Sequence, residues 1–127
     1  MADDPQLYSI AFSPWSNKVK WTLNACGVGY TRVEYTPGLS ELNLRLKLRN
    51  YCGRVTVPVM AVPRGPVLVE SFDIAVWTDD HREKGRPSLF PAGIEAAQEW
   101  NDLSDRILYV GRVQSLRKII SNTGAVW

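Results

Sequence analysis

The sequence predicts an α/β domain with a mixed four-stranded sheet, followed by a helical segment of different character. Short runs of β-branched and aromatic residues alternate with longer stretches in which apolar residues recur at helical spacing. Clusters of glycine and proline separate these runs, as is typical of turns. Along the chain the predicted elements follow the order β-α-β-α-β-β-α, and 127 residues are enough for one domain with its own core.

The first part of this pattern is a strand, a helix and a second strand. Residues 6–12 are mostly apolar and predict the first strand. Ser13 is a favourable N-cap for the helix, and Pro14 suits the first helical position, where a missing N–H costs no hydrogen bond. Gly27 ends the helix, and residues 30–35 predict the second strand from their alternation and β-forming residues.

The second part combines a short helix, a β-hairpin and a third helix. The short helix is predicted from three leucines on one face: Leu39, Leu42 and Leu46. Residues 57–62 and 67–69 predict the two strands of the hairpin, with a turn of proline and glycine between them. Ser71 is the predicted N-cap of the third helix.

The chain changes character after residue 84. Two glycines and two prolines predict a linker over residues 85–93, between a first domain at 1–84 and a helical segment at 94–127. Two alternatives stay open for that segment. It is either one helix of roughly 40 Å, at 1.5 Å per residue, or a helix that breaks at Gly111.

Composition and charge narrow the classes of partner and compartment. A net charge of +2 gives no basis for nucleic-acid binding, and no apolar run is long enough to span a membrane. The acidic N-terminus lacks the apolar run of a signal peptide, so we expect a cytoplasmic protein. Cys26 and Cys52 match no zinc or redox spacing; we expect both to be reduced and predict no metal.

Three motifs lie at junctions between predicted elements. Ser13-Pro-Trp-Ser-Asn-Lys-Val19 joins the first strand to the first helix, Val55-Thr-Val-Pro-Val-Met60 enters the third strand, and Val69-Glu-Ser-Phe-Asp-Ile74 precedes the third helix. In this order the motifs resemble the glutathione transferase family, specifically its N-terminal thioredoxin-like domain. Leu89-Phe-Pro91 resembles the family's interdomain connection. The resemblance implies that only the first helix or two of the family's helical second domain follow.

The resemblance implies that a serine hydroxyl activates the thiol of glutathione. A helix N-terminus favours a nearby anion, and a hydroxyl that donates a hydrogen bond to a thiolate lowers the pKa of the thiol. Ser13 is the first candidate for this serine-type role and Ser16 the second. Both occupy places that carry cysteine in thioredoxin-like CxxC motifs, so dithiol chemistry is excluded at this position.

The same resemblance assigns residues to the rest of glutathione. Val57 and Pro58 match the family's cis-proline signature, which implies that the backbone of Val57 pairs with the cysteinyl part. Glu70 is expected to accept a hydrogen bond from the γ-glutamyl ammonium. Ser71, at the start of a helix, is expected to hold the γ-glutamyl carboxylate.

The glycyl carboxylate of glutathione has several candidate partners. Many relatives place a lysine just before the cis-proline pair, where this chain has Thr56. Three basic residues remain as alternatives: Arg54, Lys47 and Arg49.

The predicted function is that of a glutathione S-transferase. Glutathione is the co-substrate, and a small electrophile is the second substrate, as in detoxification. The alternative is a glutathione-binding or protein-interaction module with little transferase activity, because the electrophile pocket is incomplete. A homodimer is also predicted, with a complementary chain that carries the family's further helices as the alternative. The last segment has apolar residues at helical spacing that need a partner: Trp100, Leu103, Ile107, Val110, Leu116, Ile120 and Trp127.

Overall fold

The computed structural model describes residues 3–36, 38–49 and 55–122, and its elements follow the predicted order. They are β1 (Gln6–Ser9), α1 (Pro14–Cys26), β2 (Thr31–Glu34), α2 (Glu41–Leu48), β3 (Val59–Ala61), β4 (Val67–Leu68), α3 (Ser71–Asp80) and α4 (Ile94–Ser121). Each strand is shorter than predicted. Three residues of the sequence-based predictions lie outside the described ranges: Cys52, Arg54 and Trp127.

The four strands form one mixed sheet in the order β2-β1-β3-β4. Strand β1 is parallel to β2 and antiparallel to β3, and β3 is antiparallel to β4. The carboxyl ends of β1, β2 and β4 and the amino end of β3 therefore lie together, at what we call the upper end of the sheet. The predicted mixed four-stranded sheet is confirmed.

Each face of the sheet carries its own buried cluster, because successive side chains of a strand point to opposite faces. In β1, Leu7 packs with residues of α1 and α3, whereas Tyr8 packs with α2. The first cluster consists of Leu7, Val19, Leu23, Met60 and Ile74, and the second of Tyr8, Leu44 and Val59. Helices α1 and α3 thus share one face, where their packing fixes the position of each helix start.

The predicted apolar face of α2 was wrong. Leu39, Leu42 and Leu46 are 83%, 67% and 53% exposed, whereas Leu44 is fully buried. Leucine occupies every second position from 42 to 48, so the helix offers two equivalent i, i+4 pairs. Packing against the sheet selects the pair that contains Leu44, a choice that the local sequence does not determine.

The predicted N-cap of α3 was also wrong by one residue. Ser71 is the first helical residue, and the N-cap is Glu70, whose backbone is extended at φ −105° and ψ 137°. The Glu70 side chain makes no capping hydrogen bond to the helix. Because the chain bends at Glu70, Ser71 lies in the first turn of the helix. Its N–H is therefore one of the first N–H groups, which have no partner within the helix.

The segment after α3 is fastened to that helix by Asp79, a buried residue that the sequence analysis did not single out. Its carboxylate accepts hydrogen bonds from Ser88 Oγ at 2.9 Å and from the Leu89 N–H at 2.6 Å. The rings of Phe72 and Phe90 lie 5.8 Å apart. Residues 88–90 therefore pack with the first part of the chain.

The chain divides into two compact units, Met1–Pro91 and Ala92–Trp127. In the second unit, α4 runs unbroken through Gly111 for 28 residues, about 42 Å at 1.5 Å per residue. The continuous alternative is therefore the observed one. None of the described helices is long and apolar enough to cross a membrane. The interdomain role of residues 85–93 and the exact domain limits stay predictions.

Candidate functional site

Three of the predicted motifs meet at the upper end of the sheet. Ser13 follows β1, the Val57–Pro58 pair precedes β3, and the Glu70–Ser71 pair follows β4. The antiparallel register of β3 with both neighbours carries these three segments to the same end. The fold therefore brings a hydroxyl, a backbone segment with a cis peptide bond and a second helix start to the same end of the sheet, while their roles toward a ligand stay predictions.

Ser13 is the N-cap of α1, as predicted. Its Oγ accepts a hydrogen bond from the Ser16 N–H at 3.4 Å, and its backbone is extended at φ −78° and ψ 123°. The side chain is half-buried. A hydroxyl has one donor and two acceptor positions, so this capping contact leaves the Ser13 O–H proton available for donation.

Ser16 differs from Ser13 in burial and in the backbone N–H that its hydroxyl oxygen binds. It is fully buried, and its Oγ accepts a hydrogen bond from the Ile10 N–H at 3.3 Å. Its hydroxyl therefore satisfies the backbone of the turn between β1 and α1. Of the two candidate serines, Ser13 is the one with a solvent-accessible side chain.

The Val57–Pro58 peptide bond is cis, as the motif predicts. Pro58 is buried and Val57 is half-buried, directly before the first residue of β3. Val57 also packs at the margin of the cluster that contains Tyr8 and Val59. The segment is therefore held by the core on one side and reaches the upper end of the sheet.

The start of α3 combines an exposed carboxylate with a buried hydroxyl. Glu70 is exposed, whereas Ser71 is 9% exposed. The first turn of a helix has N–H groups without helical partners and carries the positive end of the helix dipole. Together these groups offer both an acceptor for an ammonium and donors for a carboxylate.

Of the predicted basic residues, the structure describes Lys47 and Arg49, and Lys47 lies away from this end of the sheet. The Lys47 amine contacts Gln6 Oε1 and lies 5.1 Å from the centre of the Tyr8 ring. Gln6 begins β1, at the opposite end of the sheet from Ser13. Arg49 is exposed at the end of α2, in the left-handed region at φ 51°. Arg54 lies outside the described residues, and the partner of the glycyl carboxylate stays a prediction.

Two polar residues at the upper end were missed by the sequence analysis. Glu34, the last residue of β2, accepts a hydrogen bond from the Ala11 N–H at 3.2 Å. The hydrogen bond from Arg32 is the main cause that lowers the pKa of Glu34. Ser9 ends β1, is fully buried, and its hydroxyl has no hydrogen-bond partner among the described residues. No sequence signal separates either residue from an ordinary strand position.

Other nucleophilic or metal-binding groups are remote or engaged. Cys26 is buried at the far end of α1, and burial is the main cause that raises the pKa of its thiol. His81 stacks on Trp77 at 3.9 Å between ring centres, beyond the end of α3. In the described part of the chain, no three His, Cys, Asp or Glu side chains are grouped to hold a metal ion.

The sequence also matches the model of a known protein family. The family model described as the N-terminal domain of glutathione S-transferase matches residues 12–81, which include all three motifs. None of the curated protein sequences matches the chain.

Several solved structures share the fold. A Tau class glutathione S-transferase from mango, Mangifera indica, superposes with a TM-score of 0.69 at 24% identity, over 94% of this chain and 52% of that one. A glutathione S-transferase from Xanthobacter autotrophicus gives 0.65 at 22% identity, over 96% and 61%. One from Methylobacterium radiotolerans, in complex with glutathione sulfonate, gives 0.60 at 24% identity, over 80% and 47%.

These structures establish the fold as a thioredoxin-like N-terminal domain followed by a C-terminal helix. The chain spans about half the length of the mango protein. Transferase activity, which belongs to the whole relatives, is therefore only proposed for this chain.

Proposed function

The chain belongs to the glutathione S-transferase family, and on that premise we propose that it binds glutathione and activates its thiol for attack on a small electrophile. The observation that carries the proposal is the meeting of Ser13, Val57–Pro58 and Glu70–Ser71 at the upper end of the sheet. Each of these segments offers a group suited to a different part of one small peptide. The complex of the Methylobacterium radiotolerans relative with glutathione sulfonate supports the choice of ligand.

The γ-glutamyl end of glutathione is assigned to the start of α3. Glu70 accepts from the ammonium, while the Ser71 hydroxyl and the N–H groups of the first turn donate to the carboxylate. The absence of a side-chain cap among the described residues at this helix start supports the assignment, because a bound carboxylate then acts as the cap.

The cysteinyl part is assigned to the Val57 backbone just before β3, and the glycyl carboxylate to Arg54, which lies outside the described residues. The Val57 backbone pairs with the cysteinyl unit as an added strand does. Arg54 is the proposed partner of the glycyl carboxylate, since Lys47 contacts Gln6 at the other end of β1. A guanidinium can bind a carboxylate with two parallel hydrogen bonds.

Thiol activation is assigned to Ser13. Its half-buried hydroxyl caps α1 as an acceptor and keeps a proton to donate to the thiolate sulfur. A hydrogen bond to the charged form lowers the pKa of the thiol, and the thiolate is the nucleophile. Ser16 is the alternative, but it is fully buried, whereas Ser13 is half-buried.

The experiment that tests the proposed function is a calorimetric titration of the protein with glutathione, followed by an activity assay with a chloro-nitroaromatic electrophile. Heat of binding together with turnover supports the transferase assignment. Binding without turnover supports the alternative, a glutathione-binding module. Absence of binding at millimolar glutathione contradicts both.

Assembly as a homodimer in the cytoplasm completes the proposal. Helix α4 exposes Trp100, Ile107 and Val110 at 73%, 64% and 56%. A second copy covers such a face most simply in a two-fold arrangement. Light scattering at micromolar concentration is expected to give twice the mass of the chain, and replacing Ile107 and Val110 with aspartate is expected to halve it. A wild-type monomer contradicts this part of the proposal alone.

A further inference from the structure

The turn between β1 and α1 carries the proposed activating hydroxyl and is held at both of its ends. The Ser13 N–H donates to the Ile10 carbonyl at 3.2 Å, which closes the turn. The Ile10 N–H donates to Ser16 Oγ at 3.3 Å, which ties the start of the turn to α1. Between these points, Ala11 and Phe12 are exposed, so core packing does not hold the middle of the turn.

A carboxylate from the neighbouring strand reaches that middle. The Ala11 N–H donates to Glu34 Oε1 at 3.2 Å. Glu34 is the last residue of β2 and pairs in register with Ser9, the last residue of β1. The Tyr35 N–H donates to the Ser9 carbonyl at 2.9 Å, so the pairing of the two strands extends up to this carboxylate.

The two oxygens of Glu34 have different partners. Oε1 accepts from Ala11, while Oε2 accepts from Arg32 Nη2 at 2.6 Å and from Arg32 Nε at 3.2 Å. A guanidinium that binds one oxygen through two of its nitrogens restricts the rotation of the carboxylate. Arg32 therefore keeps the other oxygen directed at the turn.

We infer that Glu34 is a positioning residue for catalysis, because its carboxylate fixes the turn from which the Ser13 hydroxyl reaches the thiol. The inference rests on the proposed function. Glu34 itself does not touch glutathione in this account, and it acts through the Ala11 backbone. A displacement of the turn by a fraction of an ångström weakens a hydrogen bond to sulfur, whereas the γ-glutamyl contacts at α3 are unaffected.

The test compares Glu34→Ala with Glu34→Gln and with a matched control, Glu41→Ala. Glu41 also pairs with an arginine, Arg45, in a half-buried contact on α2, so the control loses the same charge and a similar ion pair. Glu34→Gln keeps an oxygen that can accept from the Ala11 N–H, and is expected to behave more like the wild type than Glu34→Ala does.

The expected result is a separation of thiol activation from affinity. In Glu34→Ala the pKa of the bound glutathione thiol, read from thiolate absorbance, rises by about 0.5 to 1. The kcat/KM falls about three- to tenfold, as for loss of one ordinary hydrogen bond. The dissociation constant for glutathione stays within about twofold, and the Ala11 amide exchanges with solvent faster.

Two further outcomes separate this inference from the proposed function. Wild-type protein that does not bind glutathione contradicts the proposed function, and the inference falls with it. If the wild-type protein binds glutathione and Glu34→Ala leaves the thiol pKa unchanged, the inference alone is overturned.

A double substitution tests whether Glu34 acts through Ser13. In a Ser13→Ala background, Glu34→Ala is expected to raise the thiol pKa no further, since the hydroxyl that Glu34 positions is gone. Additive effects of the two substitutions contradict positioning through Ser13.

Discussion

The starts of α1 and α3 lie at the same end of the sheet but are built differently. At α1 a serine side chain caps the helix, and a buried second serine secures the preceding turn. At α3 the N-cap is Glu70, and the described residues supply no side-chain cap. The first start is thus closed by its own side chains, whereas the second is open to an external acceptor.

This difference suits the two helix starts to different parts of a ligand. A capped start with one spare hydroxyl proton suits a single, directed hydrogen bond to a thiolate. An open start with an adjacent carboxylate suits a zwitterionic head group, which brings its own charges of both signs. The packing of α1 and α3 on a shared core keeps the two starts in a fixed relation.

The largest expected effect is on stability, from a substitution in the core that α1 and α3 share. Ile74 is fully buried in the cluster between α1, α3 and the sheet. Ile74→Ala is expected to lower the free energy of unfolding by about 2–5 kcal/mol, from lost burial and the cavity that remains. Denaturant titration measures it. The control is Leu42→Ala on the 67% exposed face of α2, which is expected to change stability by less than about 0.5 kcal/mol.

The next effect concerns the open start. Glu70→Ala is expected to weaken glutathione binding by about 1–3 kcal/mol, because the ammonium loses a charged acceptor. Calorimetry measures the change. Glu70→Gln keeps an acceptor without the charge and is expected to lie between the wild type and the alanine variant. Equal affinity in all three proteins places the γ-glutamyl group elsewhere.

A third comparison uses the two serines of the capped start. Ser16→Ala removes the acceptor of the Ile10 N–H and is expected to lower the free energy of unfolding by about 1–3 kcal/mol. Ser13→Ala removes an N-cap and is expected to cost about 0.5–2 kcal/mol. If Ser16→Ala abolished thiol activation without unfolding the protein, and Ser13→Ala did not, then Ser16 would be the activating serine.

The smallest expected effect is at the opposite end of α1. Burial raises the pKa of the Cys26 thiol, so this thiol stays protonated near neutral pH. We expect the folded protein to leave Cys26 unmodified by a thiol reagent, and the denatured protein to react fully. Peptide mapping distinguishes Cys26 from Cys52. Rapid labelling of Cys26 in the folded state would show that the helix end opens.

The sequence was sufficient for features that depend on local chemistry. Ser13 and Pro14 predict the start of α1, and Gly27, at φ 69°, predicts its end. The order of elements followed from turns and periodicity, whereas the three motifs were identified through their resemblance to the family. The N-cap of α3 was displaced by one residue, because Glu70 and Ser71 are both compatible with the bend and the path out of β4 selects between them.

Features that depend on tertiary contacts could not be predicted. The alternating leucines of α2 permit two faces, and only packing on the sheet selects Leu44. Glu34 and Asp79 each bind backbone N–H groups more than nine residues away in sequence, a pairing that no local pattern encodes. Lys47 was a candidate by charge alone, and its contact with Gln6 depends on how α2 crosses β1.

The central claim is that the capped start acts on the thiol and the open start on the head group. The most direct measurement is the thiol pKa of bound glutathione and its dissociation constant, taken together in wild type, Ser13→Ala and Ser71→Ala. Ser13→Ala is expected to raise the thiol pKa by about 1 or more while the dissociation constant stays within about threefold. Ser71→Ala is expected to weaken binding about five- to hundredfold with an unchanged thiol pKa. A variant pair in which both quantities change together, or in which the two serines exchange their effects, would contradict the division between the helix starts.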